Sequence, residues 1–183
     1  MEIYVQYTIT GQYHMQRRFM EKTYHSDMII GIDPGKSGGI CMIHKNLIWS
    51  EKCPDNILRM SEILKHMLHS TSPKNVSLFI EKVWARPTDG KSSIFTFGKN
   101  YGQWQGIIAS NEIEPEYVVP TTWMKHFDVP KAMKKQERKN HIKQLAKSYI
   151  NKNNFTAYHW KGIPTLATAD AIMIAGYGLD KVS

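Results

Sequence analysis

Ile29-Ile30-Gly31-Ile32-Asp33-Pro34-Gly35-Lys36-Ser37-Gly38-Gly39-Ile40 is an apolar run broken by a single acid and then turned by glycines. The β-branched Ile29, Ile30 and Ile32 suit a buried strand, and Pro34, Gly35, Gly38 and Gly39 are turn formers that end it, so Asp33 falls at the last residue of the strand. A buried, unpaired carboxylate is costly and is normally neutralised by a metal, a cation or a proton. The plainer alternative is that Asp33 caps the turn by accepting a backbone N–H bond. Gly31 to Ser37 also imitates a phosphate-binding P-loop, but only Ile32, Asp33 and Pro34 stand where that motif needs four residues, and a carboxylate there would repel the phosphates.

The 183 residues are enough for one domain with a proper core, and 42% hydrophobic with 22% charged residues is ordinary for a soluble globular chain. Lys and Arg number 24 against 16 Asp and Glu, and the net charge of +8 favours a polyanionic partner such as nucleic acid. No apolar run approaches the ~18 residues of a membrane span, so no membrane partner is expected. Cys41 and Cys53 lie in or beside apolar, strand-like segments without a Cys/His cluster at zinc spacing. They read as reduced, buried thiols of an intracellular protein, cytoplasmic if the host is a bacterium or phage.

Residues 1–27 form an N-terminal extension rich in Tyr, Gln, Arg and Met, without a secretory pattern and read as a mobile tail or as the product of an upstream start codon ahead of Met20 or Met28, although Tyr4 to Ile9 alternates weakly and could add to a sheet edge. Residues 28–183 form the domain. After the opening strand, Gly39 to His44 and Leu47 to Glu51 complete an antiparallel meander across Lys45-Asn46. Asp55 is placed to cap a helix whose stripe is Ile57, Leu58, Ile63, Leu64, Met67 and Leu68. Val76 to Glu81 returns as a strand that again ends in one acid. A loop with Trp84, Arg86 and Lys91 leads to a helix in which Gly98, Gly102 and Gly106 make a smooth seam, suited to packing within the chain or, less so, to a dimer contact.

Tyr117 to Val119 is a short strand stopped by Pro120, and Thr121 opens a turn of helix. Lys131 to Lys152 is the most basic segment. Its apolar stripe of Ile142, Leu145, Ala146, Tyr149 and Ile150 extends backwards to Lys139 and Lys135, which therefore point toward the body of the protein. The last helix is expected from about Thr165 to Leu179, with Gly176 and Gly178 loosening its end and Asp170 among small apolar residues. Asp33, Glu81 and Asp170 are then three acids in apolar settings on three separate elements.

The order of elements, with acids on the first strand, the fourth strand and the last helix, is that of an RNase H-like nuclease. Ile-Gly-Ile-Asp-Pro-Gly (30–35), Phe-Ile-Glu-Lys-Val-Trp (79–84), Phe-Gly-x-x-Tyr-Gly-x-x-x-Gly (97–106) and Ala-Asp-Ala-Ile-Met-Ile-Ala (169–175) together resemble the RuvC family of Holliday junction resolvases over residues 28–180. The resemblance implies an α/β RNase H-like fold with a mixed five-stranded sheet, an antiparallel meander plus two parallel strands, flanked by helices. A phage or viral-type member fits it.

It also implies Mg2+-dependent hydrolysis of branched DNA by a homodimer, with two ions about 4 Å apart, Mn2+ able to substitute, and no small-molecule cofactor. Asp33 would bridge the ions between Glu81 and Asp170. Lys139 matches the family's catalytic lysine, with Lys135 as its substitute. Trp84 occupies the place of an aromatic that stacks on a base at the opened junction, where stacking supplies ~1–3 kcal/mol; packing is the competing reading. Arg86, Lys91, Lys135 and Lys139 complete the expected DNA contacts, and binding through the DNA backbone should be strongly salt-dependent.

Two alternatives stay open. A strand, Asp-x-Gly and glycine turn also begin actin-like and sugar-kinase ATPases, although those need two such domains and no internal repeat is visible. The family usually carries a fourth metal ligand one helical turn before the final acid, and this chain has Ala167 there. Either the natural protein lacks that ligand and cuts slowly, binding junctions with little or no cleavage, or Ala167 is a deliberate Asp→Ala change.

Overall fold

The computed structural model describes residues 27–69, 71–84, 90–158 and 161–183, with the backbone of two short strands, β1 (Val5–Tyr7) and β2 (Tyr13–Met15). These two pair antiparallel with each other, so the strand expected near Tyr4 to Ile9 joins β2 and not the main sheet.

The main sheet begins with β3 (Met28–Ile32), β4 (Gly39–His44) and β5 (Leu47–Lys52), the expected meander, with Ile32 opposite Ile40 and Gly39 opposite Lys52. β6 (Val76–Glu81) lies parallel on the other side of β3, and β7 (Glu116–Val118) lies parallel beyond it, one residue earlier than the sequence pattern suggested. The expectation of five strands is corrected by a sixth, β8 (Thr156–Ala157), parallel to β5. Two residues are too few to show a period of two in sequence. The sheet order is β7-β6-β3-β4-β5-β8.

Helices cover both faces. α1 (Ile57–Leu68) and α2 (Lys91–Ser110) pack on the side of Met28, Ile30 and Ile32. On the other side α3 (Pro120–His126), α4 (Lys135–Lys152) and α5 (Ala169–Val182) pack over Ile29, Ile43 and Phe79. Among the described residues no helix is long and apolar enough to cross a membrane.

Several local expectations change. The cap of α1 is Asn56, whose Oδ1 accepts from the backbone N–H groups of Leu58 and Arg59, and not Asp55. The buried stripe is Met60, Ile63, Leu64 and Met67, which turns Ile57 and Leu58 outward to solvent. Gly176 and Gly178 do not loosen α5; they are places where the Tyr149 and Phe79 rings press against its backbone, and a Cβ at either would overlap a ring. Among the described residues the α2 seam meets no partner, since nothing lies within 4 Å of where a Cβ would stand at Gly98, Gly102 or Gly106.

The contact that positions the site is between β3 and α5. A Cβ on Gly31 would overlap the backbone at Ala171 and Ala175, so the absent side chain lets the helix rest directly on the strand. Cys41 and Cys53 are buried free thiols, and burial pushes Cys53 up to about 12. Their burial as free thiols agrees with the reading of them as reduced and buried.

Candidate active site

The parallel register of β3 and β6 sets Gly31 beside Phe79 and Ile32 beside Ile80, so one further step brings Asp33 beside Glu81. Neighbouring strands are about 4.8 Å apart, and alternation puts both acids on the face that carries Ile29, Gly31 and Phe79, which is the α5 side. Asp170 is in the first turn of α5, and it reaches this corner because the helix sits on Gly31.

The three carboxylates act on one another. Burial first, then the Asp33 charge, lifts Glu81 to about 8 and Asp170 to about 7. Burial also raises Asp33, against the opposing pull of a Gly35 backbone N–H and of Lys139. The Gly35 bond is 3.0 Å long, so Asp33 caps its turn and also belongs to the acid cluster; the two readings hold together. Gly38 closes on the same carboxylate, where a Cβ would stand 2.6 Å from Asp33 Cγ.

Lys139 lies on the inward side of α4 as its register predicted, and its charge lowers both Asp33 and Asp170. Arg138, which the sequence reading passed over, also lowers Asp170. The sequence carried only a weak signal for it, a second cation adjacent to the lysine that the stripe selected. Trp123 was likewise missed. It is fully buried, and its Nε1–H donates to Glu81 Oε1 over 2.9 Å. That pairing spans 42 positions and has no local signature.

Beside Glu81 opens a cavity of about 560 Å³, walled by the Gly35–Ser37 turn, by Lys82 and Trp84 after β6, by Phe97 and Tyr101 of α2, and by Lys135. Trp84 is 53% exposed at this cavity wall. Lys91 is exposed at the first residue of α2 and is not part of the cavity wall. Arg86 lies outside the described residues.

Ala167 is half-buried in a turn ahead of α5. Thr165 Oγ1 accepts from the N–H groups of Ala167 (3.3 Å) and Thr168 (3.1 Å), and Ala169 donates to the Thr165 carbonyl (3.1 Å). Thr165 therefore caps the turn from which α5 grows, and the regular helix begins at Ala169, four residues later than expected.

Among the described residues no three His, Cys, Asp or Glu side chains are drawn tightly enough to enclose one ion. The donor set still fits Mg2+, which takes one or two carboxylates and completes its shell with water and substrate oxygens. Burial, before like charge, holds protons on Glu81 and Asp170, and a divalent cation would bind here by displacing them.

No protein-family model matches the sequence, and no curated protein matches it. Among solved structures, RuvC of T. thermophilus in complex with a Holliday junction substrate superposes with a TM-score of 0.52 at 11% identity, covering 85% of this chain and 97% of that one. The fold is RuvC-like. A second Thermus thermophilus RuvC structure gives a TM-score of 0.47 at 13% identity over the same shares. The RuvC-like architecture is the mixed sheet described above, in which β8 is a two-residue strand at one edge.

Proposed function

We propose that this chain is a structure-selective endonuclease that hydrolyses phosphodiesters in four-way (Holliday) junctions or related branched DNA, using two Mg2+ ions or Mn2+ in their place. The observation that carries this reading is the convergence of Asp33, Glu81 and Asp170 from three elements at one corner of a RuvC-like sheet. Such acids repel one another unless a cation joins them. Residues 28–183 are the nuclease domain and 1–27 an extension to it, in a chain of phage or viral type.

Asp33, Glu81 and Asp170 would hold the ions. Bound Mg2+ supplies a more acidic attacking water and neutralises the leaving 3′ oxygen. Lys139 and Arg138 bring positive charge to the same corner, where they would orient the scissile phosphate. Trp84 stands at the cavity mouth with Lys36, Lys82 and Lys135 nearby, a combination suited to a base stacked on the indole while its backbone meets the lysines. The +8 charge favours binding through phosphates. A homodimer matches the two-fold symmetry of a four-way junction, and the glycine face of α2, which meets nothing among the described residues, would suit a second copy.

A second reading is favoured by Ala167 alone. A methyl group there leaves a place beside Asp170 without a carboxylate, so the chain would bind junctions while cutting them slowly. One experiment tests both readings: labelled four-way junction, flap and duplex, with ATP as a separate substrate, incubated with Mg2+ or Mn2+ and either the chain or its Ala167→Asp variant. The expected result is junction-selective binding by both proteins, cleavage raised by orders of magnitude in Ala167→Asp, and no ATP turnover. Equal affinity for junction and duplex, with no cleavage by either protein, would overturn the nuclease reading.

A further inference from the structure

Trp123 is enclosed completely, and an indole N–H can only donate, so it needs an acceptor. The acceptor it has is a carboxylate oxygen, Glu81 Oε1, at the end of β6. Trp104 on α2 gives the contrast. It is equally buried, yet among the described residues its N–H finds no oxygen or nitrogen acceptor and lies against the Cys53 thiol. A buried indole in this fold is therefore not paired with an acid merely because it is buried.

The helix that carries Trp123 is tied to its neighbours. His126 Nε2 lies 2.9 Å from Asp180 Oδ2 on α5. Asp180 Oδ1 accepts from the Tyr149 hydroxyl of α4 over 2.7 Å, and that hydroxyl also meets the Gly176 carbonyl at 3.1 Å. The Phe127 ring packs edge-on against Tyr149, with centroids 5.5 Å apart. α3, α4 and α5 thus form one linked unit that carries Trp123, Lys139 and Asp170 together.

We propose that Trp123 is a positioning residue of the acid cluster: its N–H commits Glu81 Oε1 and leaves Oε2 to a divalent cation, which ties the acid of β6 to the helices that carry Asp170 and Lys139. This rests on the metal-dependent reading above. Rotation of Glu81 about its side chain would otherwise be free to carry it away from Asp33, and the indole bond removes that freedom without touching the cation or the DNA.

The test compares Trp123→Phe with Trp104→Phe, which lose similar ring volume from the core, by electron paramagnetic resonance of free Mn2+ against protein without DNA. Both variants should lower the melting temperature, and Trp123→Phe alone should weaken Mn2+ binding by on the order of 10-fold. Unchanged Mn2+ binding in Trp123→Phe, or equal weakening in Trp104→Phe, overturns the inference and leaves the metal site standing. If the unmodified chain binds no Mn2+ and Asp33→Asn changes nothing, the metal reading fails and the inference falls with it. A measurement on the unmodified protein covers the case of a variant that does not fold: with 15N-labelled indoles, Mg2+ should shift the Trp123 N–H resonance and spare that of Trp104. A Trp123 signal that does not move overturns the inference.

Discussion

Met28, Ile30 and Ile32 on one face of β3, and Ile29, Gly31 and Asp33 on the other, belong to the same five-residue strand and the residue after it, yet they hold the molecule together differently. The first set meets α1 and α2 through branched and sulfur-containing side chains that fill the space between sheet and helix. The second meets α5 through an absence, because Gly31 lets the helix backbone come down onto the strand. One face is stabilised by side-chain volume. The other gives up volume at Gly31, and so brings Asp170 to Asp33 and Glu81, where burial and like charge oppose folding instead of favouring it.

The largest expected effect breaks this difference directly. Gly31→Val would drive two methyl groups into the α5 backbone at Ala171 and Ala175, which cannot yield as a side-chain tip could. Unfolding in urea should show a loss above ~3 kcal/mol, whereas Ile30→Val, one residue away on the filled face, should cost ~1 kcal/mol. Similar losses for the two would mean that α5 does not depend on the missing side chain.

The acid side of that contrast was legible in sequence for a physical reason. A strand exposes its alternation, and an isolated charge at the end of an apolar run has few explanations, so Asp33 and Glu81 could be read from their own neighbours. Asp170 was readable because α5 is apolar around it. What lay hidden depends on distant pairing. Trp123 meets Glu81 across the fold, Arg138 reaches Asp170 only after α4 docks, and β8 exists because two residues happen to reach β5. The glycines of α2 misled for a related reason: spacing shows that a helix face is smooth, but not what stands opposite, and among the described residues nothing does.

The next effect concerns pH and separates the two faces without altering a contact. Glu81 near 8 and Asp170 near 7 lie above their ordinary values of 4.5 and 3.8, so the folded state holds these protons more tightly than the unfolded chain. Their contribution is fully present below about pH 4, falls as pH rises toward 8, and is flat above that. Melting temperature should therefore decline between pH 4 and 8 in the absence of divalent cations. Mg2+ or Asp33→Asn should flatten the slope, and Ile30→Val should shift the whole curve downward without changing its slope. A profile that is level from pH 4 to 8 in the metal-free protein would mean that the acids are not held together as described.

The smallest effect belongs wholly to the filled face. Asn56 caps α1 with two bonds, 2.8 Å to the Leu58 N–H and 3.3 Å to the Arg59 N–H, at an exposed corner. Removing such a cap costs about 1 kcal/mol, so Asn56→Ala should lower stability by about that much, whereas Asp55→Ala, the cap that sequence alone suggested, should be close to neutral. α1 contacts the sheet through Met60, Ile63, Leu64 and Met67, all on the side away from the acids. The Asn56→Ala protein should therefore keep the pH slope and the Mn2+ affinity of the parent while losing stability uniformly across the pH range. If fraying of α1 changed either property, the two faces of β3 would be coupled through the strand, and the separation of filling from charge would have to be replaced by a single cooperative core.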